Sequence, residues 1–202
     1  MRVIAGTARG RPLRATPSTR PTADLIKGAI FSMLEALAYK RGFEPTEEGV
    51  FAAALAWPRV LDLFAGSGAL GIEALSRGAE RADFVEQERA AAAVIEANLR
   101  AADLHEHARV YVGPVASVLG RVRGPVDLVL ADPPYRDLAG LESTADLLGR
   151  SDLLLPTSVV VLEQSAAVEP PVRVGELALQ STRTHGQTRV SAYYARGAAV
   201  LR

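Results

Sequence analysis

Short apolar runs alternate with segments of helical periodicity from residue 59 to residue 164. Apolar runs of this length, bounded by turn residues, predict buried strands, and apolar residues three or four positions apart predict helices between them. A helix after each strand favours a mostly parallel sheet that is covered on both faces, and therefore an α/β fold. We expect strands at 59–64, 82–86, 108–113, 126–134 and 157–164, and helices at 69–77, 89–102, 114–122 and 138–149.

The last part of the chain has a different pattern. Two extended runs, 175–182 and 187–196, flank the polar stretch 184–186 with no helix between them. Such a pair of runs around a turn that contains glycine predicts an antiparallel hairpin that closes the sheet.

The first part of the chain also departs from the alternation. Residues 2–5 and 11–14 can pair as a short hairpin, and a helix with one apolar face is expected to begin near residue 22. A mixed segment with glycine and proline follows, in which "VFAAALAW" favours a helical turn. We therefore divide the chain into an N-terminal hairpin and helix, 1–38, a linker, 39–58, and an α/β domain, 59–202.

Composition narrows the class of protein. The chain has 202 residues, 49% of them hydrophobic, which allows a folded domain with a sizeable core. It has no cysteine, so disulfides and thiolate metal sites are excluded. It has no apolar run of about 18 residues and no N-terminal signal segment, which favours a cytoplasmic protein without a membrane partner or a metal.

Charge is distributed unevenly along the chain. The formal net charge is zero, but residues 1–41 hold eight Lys and Arg against two Asp and Glu, and residues 173–202 hold five against one. Residues 42–172 hold ten against twenty. Basic ends around an acidic middle hint at a nucleic-acid partner, although solvated arginines in an arginine-rich chain give the same pattern.

The stretch "LDLFAGSGALG", residues 61–71, lies between the first strand of the α/β domain and its helix. Gly66, Gly68 and Gly71 form G-x-G-x-x-G, which is typical of dinucleotide sites and also of S-adenosylmethionine (SAM) sites. This turn falls at the carboxyl ends of the strands, where ligands bind, although a tight strand-to-helix turn needs the same glycines. Glu86 ends the next strand, 20 residues after Gly66, and its carboxylate can accept hydrogen bonds from both ribose hydroxyls.

Asp62 helps to choose between the two cofactors. A carboxylate four residues before Gly66 suits the sulfonium and ammonium of SAM, whereas it would repel the pyrophosphate of NAD. The alternative is a strand carboxylate paired with a neighbouring arginine. Ser67 can donate its hydroxyl to a ligand, but a hydrolase nucleophile there is excluded, because G-x-S-x-G requires glycine where Ala65 and Ala69 stand.

The run "ADPPY", residues 131–135, follows the fourth strand and reaches the same edge as the glycine stretch. Proline fixes φ and has no N–H, so Pro133 and Pro134 stiffen a segment whose carbonyls have no competing donors. Asp132 and the Pro133 carbonyl can accept hydrogen bonds from the exocyclic amine of a flipped base, and Tyr135 can stack on its ring. Such acceptors favour a pyramidal nitrogen with a free lone pair, so the run predicts amine methylation. A rigid proline turn is the structural alternative.

Together these segments resemble the bacterial 16S ribosomal RNA guanine-N2 methyltransferases of the RsmD type. The similarity runs from end to end, through "RVIAG", "RGRPL", "RPTAD", "LDLFAGSGALGIEALSRGA", "FVE", "DPPY" and "HGQTRVSAYY". It implies a Rossmann-like, SAM-dependent methyltransferase fold with a mostly parallel seven-stranded sheet whose last strand is antiparallel. It also implies methylation of N2 of one guanine, conventionally guanine-966, in the 16S rRNA of a pre-assembled small subunit. We expect the protein to be a monomer.

The resemblance also implies roles for individual residues. Asp132, Pro133, Pro134 and Tyr135 would hold the guanine, and the N-terminal arginines would contact phosphates, which position RNA without reading its sequence. The residues expected at SAM are Asp62, Phe64, Ala65, Gly66, Ser67, Gly68, Glu86 and Thr22, and those expected at RNA are Arg2, Arg9, Arg11, Arg14 and Arg20.

Three features depart from the family pattern. Gly113-Pro114-Val115 stands where Asp or Asn followed by Ala is usual near the adenine, which removes a side-chain acceptor and a backbone N–H. Gly28 stands where a glutamate is common after the basic residue. The segment 39–58 is longer than expected, and the sequence assigns it no role.

Other functions stay open at this stage. An adenine-N6 methyltransferase uses the same amine chemistry and the same Asp-Pro-Pro-Tyr, and the N-terminal "RGRPL" and "RPT" block is what favours ribosomal RNA. A non-catalytic RNA-binding assembly factor could keep the cofactor fold, although the intact Asp132 and Tyr135 argue against it. An NAD oxidoreductase is disfavoured by Asp62, by the "DPPY" run and by the terminal hairpin.

Overall fold

The computed structural model describes residues 1–16, 24–133 and 138–196. Among these residues, no helix is both long and apolar enough to cross a membrane. The helices are α1 (Asp24–Lys40), α2 (Ala52–Ala56), α3 (Ala69–Ser76), α4 (Arg89–Ala101), α5 (Val115–Val118) and α6 (Leu138–Gly149), with 3₁₀ turns at His105–His107 and Leu119–Arg121. The strands are β1 (Arg59–Leu63), β2 (Arg81–Glu86), β3 (Ala108–Val112), β4 (Val126–Ala131), β5 (Leu154–Ser165), β6 (Arg173–Val174), β7 (Leu177–His185) and β8 (Thr188–Tyr194).

The strands form one sheet in the order β3-β2-β1-β4-β5-β8-β7-β6. Strands β1 to β5 are parallel, and β8 runs antiparallel to both β5 and β7. The turn between β7 and β8 contains Gly186 at φ +61°, which a glycine adopts without strain. The predicted α/β, Rossmann-like architecture and its closing antiparallel hairpin are therefore confirmed.

The predicted count of seven strands is wrong, because the structure contains β6 as an eighth strand. Arg173 and Val174 pair with Ala178 and Leu177 across a turn at Gly175, whose φ is +57°. A strand of two residues is too short to show the alternation from which strands are predicted, so no sequence pattern indicates it.

The single helix predicted over 114–122 is also wrong. The helix α5 has four residues and is followed by the 3₁₀ turn Leu119–Arg121, which contains Gly120. Glycine costs about 1 kcal/mol relative to alanine inside a helix, and Pro114 lacks the N–H of an ordinary helix residue. The segment is therefore too weak a helix former to extend beyond one turn.

Alternate side chains of the strands fill two cores on opposite faces of the sheet. Val60 and Leu128 lie in the first core, beneath α1, α3 and α4. Leu61 and Val129 lie in the second core, against α5 and α6. Burying each such side chain contributes about 1.5–3 kcal/mol relative to leaving it exposed. Burial on both faces explains why apolar residues occupy consecutive positions of β1 and β4 rather than alternate ones.

Residues 1–16 form an N-terminal arm that packs on the first core. The expected hairpin is present as one antiparallel bridge between Arg2 and Pro12. Beside this bridge the Val3 N–H donates to the Arg11 carbonyl at 2.9 Å, and the Val3 side chain is buried in the first core. Several backbone hydrogen bonds are internal to the arm, and further bonds to the helices beneath it fix its position.

The segment 39–58 packs against the same face. Trp57 is 1% exposed, and the guanidinium of Arg41 lies 5.4 Å from its ring centroid. Arg41 also donates to the Thr157 carbonyl at 3.0 Å, which joins this segment to β5. Side-chain contacts therefore hold the segment to the sheet, and the proposed boundaries between hairpin, linker and domain stay a prediction.

Candidate active site

Residues 64–68, called the glycine loop here, connect β1 to α3 at the edge where the carboxyl ends of the parallel strands meet. Its backbone has positive φ at Phe64 (+57°), Gly66 (+56°) and Gly68 (+78°). Positive φ is unfavourable for an aromatic residue, and strain of this kind concentrates at functional sites. The Ala65 N–H donates to a backbone carbonyl of β2 at 3.0 Å, which fixes the loop against the neighbouring strand.

Glu86, at the end of β2, supports the glycine loop from its side. Its Oε2 accepts the Gly66 N–H at 2.8 Å, and its Oε1 accepts the Glu88 N–H at 2.8 Å. Each carboxylate oxygen has about two acceptor positions, so both oxygens retain capacity for a further donor. Glu86 therefore shapes the loop, and its expected contact with ribose hydroxyls stays a prediction that this geometry allows.

Asp62 accepts its hydrogen bond from the first turn of α3. Its Oδ2 accepts the Gly71 N–H at 2.8 Å, and 2% of the residue is exposed. The sequence also allowed an ion pair between Asp62 and a neighbouring arginine. Among the described residues, Asp62 forms no such ion pair. Burial raises the pKa of Asp62 to about 8, a shift that the Gly71 hydrogen bond opposes and the negative charge of Glu86 increases. A carboxyl that ionises near neutral pH responds strongly to a cation beside it.

Two glycines allow α3 to approach the strand and helix beside it. A Cβ at Gly71 would lie 2.4 Å from Cε1 of Phe84 and 3.1 Å from Oδ2 of Asp62. A Cβ at Gly68 would lie 3.1 Å from Cγ2 of Ile95. The motif therefore serves two purposes, because one glycine permits the loop conformation and another permits close helix-to-strand packing.

Asn98 of α4 joins the glycine loop to the N-terminal arm. Its Nδ2 donates to the Ser67 carbonyl at 2.9 Å and to the Arg14 carbonyl at 3.0 Å, while its Oδ1 accepts the Arg14 N–H at 2.9 Å. Ser67 is itself 3% exposed, and its hydroxyl lies 3.8 Å from Sδ of Met1. The Ser67 hydroxyl is thus directed toward the arm, and its expected role at the cofactor stays a prediction.

Sequence reasoning missed Asn98, although a signal was available. Asn98 occupies a position where the apolar face of α4 continues through Ile95 and Leu99, and it is 1% exposed. A polar residue at an apolar position of a helix must satisfy its hydrogen bonds inside the protein. The pattern could therefore have predicted a structural amide, but not its partners, which lie 31 and 84 residues away.

The arm is also anchored by α3. The carboxylate of Glu73 accepts the N–H groups of Ile4 (2.8 Å) and Ala5 (3.0 Å). At the following residue, Gly6, φ is +81° and an added Cβ would lie 1.7 Å from the Ser76 carbonyl oxygen. The arm therefore crosses α3 at backbone contact distance, which only glycine permits at this point.

Glu73 is the centre of a buried ionic cluster that sequence reasoning also missed. It is fully buried and pairs with Arg77 at 2.9 Å and with Lys27 at 3.5 Å. Lys27 is fully buried too and donates to the Arg2 carbonyl. Burial lowers the pKa of Lys27, and the negative charges of Glu73 and Asp24 oppose that effect. Helices α1 and α3 and the arm are thus joined by charges inside the protein.

Asp132 and Pro133 follow β4 directly and lie beside the glycine loop. The Asp132 N–H is 3.5 Å from the carbonyl oxygen of Leu63, the residue before the loop. Asp132 is partly exposed and Pro133 is buried. The two motifs singled out from the sequence therefore meet at one edge of the sheet. The other predicted residues Pro134, Tyr135, Arg20 and Thr22 lie outside the described residues.

The arginines expected to contact RNA lie on the outer surface of the arm. Arg2, Arg9, Arg11 and Arg14 are all exposed, and Arg2 lies 3.9 Å from Asp24. The arm is held from beneath mainly through its backbone, which leaves these side chains directed to solvent. They form a basic surface of the kind that contacts phosphates, and this role stays a prediction.

The departure at Gly113-Pro114 lies close to Glu86. Gly113 has φ +146°, and its N–H donates to the Glu86 carbonyl at 2.9 Å. The chain then enters α5 at Val115, whose side chain is buried. A backbone bond therefore fixes this turn, and whether it contacts an adenine stays open.

Asp62, Glu86 and Asp132 bring three carboxyl groups to this edge, and a cation beside Asp62 favours its ionised form. Within the described ranges, no three His, Asp or Glu side chains lie close enough together to hold a metal ion. Carboxylates that act separately are acceptors for N–H and O–H donors and partners for organic cations. The edge therefore suits a ligand that brings positive charge and hydrogen-bond donors.

Comparison with known proteins relates the whole chain to one family. Residues 1–194 match the family model described as Conserved hypothetical protein 95. YlbH of Bacillus subtilis, which is named provisionally as an rRNA methyltransferase, is 36% identical over 206 residues, covering 98% of this chain and 100% of the relative. Ribosomal RNA small subunit methyltransferase D of Escherichia coli strain K12 is 31% identical over 195 residues, covering 96% of this chain and 89% of the relative.

A solved structure agrees with these matches. The Escherichia coli protein yhhF, titled provisionally as a methyltransferase, superposes with a TM-score of 0.76 and 30% identity, covering 96% of both chains. The family match over residues 1–194 includes the arm, α1 and the glycine loop, so the similarity is not restricted to the common core of the fold.

Proposed function

Because the chain belongs to the RsmD-type family of ribosomal RNA methyltransferases, we propose that it methylates the exocyclic N2 amine of one guanine in the 16S rRNA of the small ribosomal subunit. The methyl donor is SAM, and the target is the guanine conventionally numbered 966. The observation that carries the proposal is the meeting of Asp132 and the glycine loop at one edge, within a match that spans residues 1–194.

The residues at this edge fit SAM better than NAD. Asp62 is a nearly buried carboxyl beneath the loop, and burial raises its pKa to about 8, so a neighbouring cation can displace its proton and stabilise the carboxylate. A pyrophosphate would approach both Asp62 and Glu86, whereas the ammonium and sulfonium of SAM are attracted to them. Glu86 retains acceptor capacity for ribose hydroxyls while it holds Gly66. When bound, SAM supplies an electrophilic methyl group on positively charged sulfur.

Asp132 and the Pro133 carbonyl are the acceptors for the amine of the base. An exocyclic amine is a poor nucleophile because its lone pair is delocalised into the ring. Acceptors on its N–H groups favour a pyramidal nitrogen and direct the lone pair out of the ring plane. The contribution of these residues is therefore orientation and electrostatic stabilisation, which account for large parts of many enzymatic rate enhancements.

The arm supplies the contacts to RNA. Its exposed arginines, Arg9 and Arg11 among them, meet phosphates, while Glu73 and Asn98 hold its backbone from beneath. Because Asn98 also holds the Ser67 carbonyl, the phosphate-binding surface and the cofactor loop share one support. RNA bound to the arm is thereby delivered to the edge that carries Asp132.

The first experiment measures transfer of labelled methyl from SAM to unmethylated small subunits, to naked 16S rRNA and to DNA, followed by separation of the nucleosides. N2-methylguanosine from small subunits or naked 16S rRNA supports the proposal. N6-methyladenine would move the chain to the adenine-N6 class, and bound SAM without any transfer would favour a non-catalytic assembly factor.

A single variant tests the role of the catalytic residue. Asp132→Ala should reduce methyl transfer by at least about a hundredfold, since positioned electrostatic groups are worth this much, while SAM still binds. Asp152→Ala is the matched control, because Asp152 is exposed and lies at the opposite, amino end of β5. Normal turnover in Asp132→Ala would contradict the assigned role.

A further inference from the structure

Glu163 lies beside Asp132 at the same edge of the sheet. Strands β4 and β5 are parallel, and their last paired residues are Ala131 and Leu162. Asp132 and Glu163 are the next residues on the two neighbouring strands. Nothing in the sequence motifs draws attention to Glu163, because it ends an apolar run rather than a recognisable signature.

The two carboxylates lie on the same face of the sheet. Leu130 and Val161 are paired across β4 and β5, and both belong to the first core. Successive side chains of a strand alternate between faces, so the residues two positions later, Asp132 and Glu163, share that face. Val190, which pairs with Glu163 on β8, also belongs to the first core.

Glu163 is deeply buried although it is at the edge. It is 4% exposed, because β5 continues past the end of β4 and remains paired with β8 as far as Ser165. The hairpin of β7 and β8 therefore forms a wall beside the site. A carboxylate in such a wall is an acceptor only, and it suits a ligand that presents hydrogen-bond donors.

Two neighbouring carboxylates match one base and reject another. Guanine presents two adjacent donors, the N1–H and the N2 amine, along its Watson–Crick edge. Adenine presents an acceptor, N1, beside its N6 amine. With Asp132 on the amine, a second carboxylate at N1 is favourable for guanine and repulsive for adenine, and a mispaired polar contact of this kind excludes a ligand effectively.

We propose that Glu163 is the residue that specifies guanine, by accepting the N1–H of the base whose N2 amine is held by Asp132. This inference rests on the proposed function and adds a basis for its choice of base. When Glu163 accepts the N1–H, electron density on the ring and on N2 also increases, which makes N2 a better nucleophile. The reacting groups are still the N2 amine and the methyl group of SAM.

The test replaces the target guanine by 2-aminopurine in reconstituted small subunits. 2-Aminopurine keeps the N2 amine, but its N1 is an acceptor. The wild-type protein should favour guanine over 2-aminopurine by about ten- to a hundredfold, the usual discrimination of one well-placed base contact. In Glu163→Gln the side-chain amide can donate to N1, so methylation of guanine should fall by a similar factor and the preference should shift toward 2-aminopurine.

Binding of S-adenosylhomocysteine serves as the second readout and should be unchanged in Glu163→Gln. Glu169→Gln is the matched control, because Glu169 is an exposed carboxylate that lies 3.1 Å from Arg189 of β8. It should leave both the rate and the preference for guanine unchanged. If Glu163→Gln loses S-adenosylhomocysteine binding, Glu163→Asp replaces it, and that variant must keep the preference for guanine because it keeps the acceptor.

An unchanged ratio of guanine to 2-aminopurine methylation in Glu163→Gln would overturn the inference, even if both rates fell, since a purely structural role lowers both. Loss of the guanine preference in Glu163→Asp would overturn it as well. Failure of the proposed function is a separate result, because then the wild-type protein itself forms no N2-methylguanosine.

Discussion

The glycine loop and the N-terminal arm are both irregular backbone held in position by side chains, but their supports differ in origin. The loop is held by carboxylates 9 and 20 residues away in sequence, Asp62 on Gly71 at the start of α3 and Glu86 on Gly66. The arm is held by Glu73 and Asn98, at separations of 68 to 84 residues. The loop is therefore recognisable as a local motif, whereas the arm acquires its position only from the tertiary structure.

The two regions nevertheless depend on the same helix. Helix α3 begins at the glycine loop, presents Gly71 to Asp62 within its first turn, and presents Glu73 to the arm two residues later. A displacement of α3 therefore moves the glycine loop and the N-terminal arm together. Variants that act on one support at a time can show whether the two regions respond separately or together.

The largest effect is expected from Glu73→Gln, which removes the centre of the buried ionic cluster. Lys27 and Arg77 would lose their partner inside the protein, and breaking a buried pair in this way costs about 3–5 kcal/mol. The free energy of unfolding, measured in urea, should fall by that amount. Glu96→Gln is the control, because its pair with Arg100 at 3.4 Å is exposed and worth less than about 1 kcal/mol. Equal losses in both variants would contradict the prediction.

The next effect is expected from Gly71→Ala, which acts on the loop rather than the arm. The new Cβ would meet Phe84 at 2.4 Å, and overpacking of this kind costs about 1–3 kcal/mol. Since α3 must shift away from β2, SAM binding should weaken as well, and calorimetry measures both. Gly28→Ala in α1 is the matched control, because nothing lies within 4 Å of the added Cβ there and it should stabilise the protein by about 0.5–1 kcal/mol.

A smaller and graded effect is expected from pH, through Asp62. Burial raises its pKa to about 8, so the free protein holds a proton on this carboxyl below that pH. A cationic ligand lowers the pKa and displaces the proton. Affinity for SAM should therefore rise with pH, by up to about tenfold per unit below pH 8, and level off above it.

Asp62→Asn provides the comparison for this pH dependence. The variant has no proton to release at this position, whereas the amine of SAM titrates in the same way with both proteins. The difference between the two titration curves therefore belongs to Asp62. Parallel curves would mean that the carboxyl does not sense the ligand.

The smallest effect on the isolated protein is expected from charge reversal on the arm. Arg9→Glu with Arg11→Glu should leave stability and SAM binding unchanged, because both side chains are exposed. Binding to small subunits should weaken. The slope of the logarithm of the binding constant against the logarithm of the salt concentration should become shallower by about 0.7–0.9 for each phosphate that the arm no longer neutralises. Arg123→Glu, exposed and at the amino edge of the sheet, serves as the control. If the wild type, the arm variant and the Arg123→Glu control all have the same slope, the arm does not contact the phosphates.

The sequence predicted the architecture because the signals for it are local. Short apolar runs mark β1, β2 and β4, since most residues of these strands are buried whichever face they lie on. Glycines and prolines mark the two motifs at the carboxyl edge, so the meeting of Asp132 with the glycine loop followed from the topology alone. The two-residue strand β6 and the division of the 114–122 segment were not predictable, because neither is long enough to establish a period.

The supports of the site were not predictable for a different reason. Glu73 and Lys27 are ordinary charged residues of amphipathic helices in the sequence, and only the packed structure shows that both are fully buried. Arg77 is a local partner of Glu73, four residues away, but the contacts of Glu73 with Lys27 and with the arm, like those of Asn98, join distant segments. A backbone N–H carries no residue-specific signal, so a side chain that binds one cannot be matched to it from sequence alone.

The hydrogen bonds between Asn98 and Arg14 also determine when the N-terminal arm can dock during synthesis of the chain. Arg14 is made 84 residues before Asn98, an interval of about 4–17 s at about 5–20 residues per second. The first residues to be synthesised therefore have no docking surface until α3 and α4 exist. Since the same amide holds the Ser67 carbonyl, the beginning of the polypeptide and the glycine loop are both fixed by a segment that is synthesised later than either.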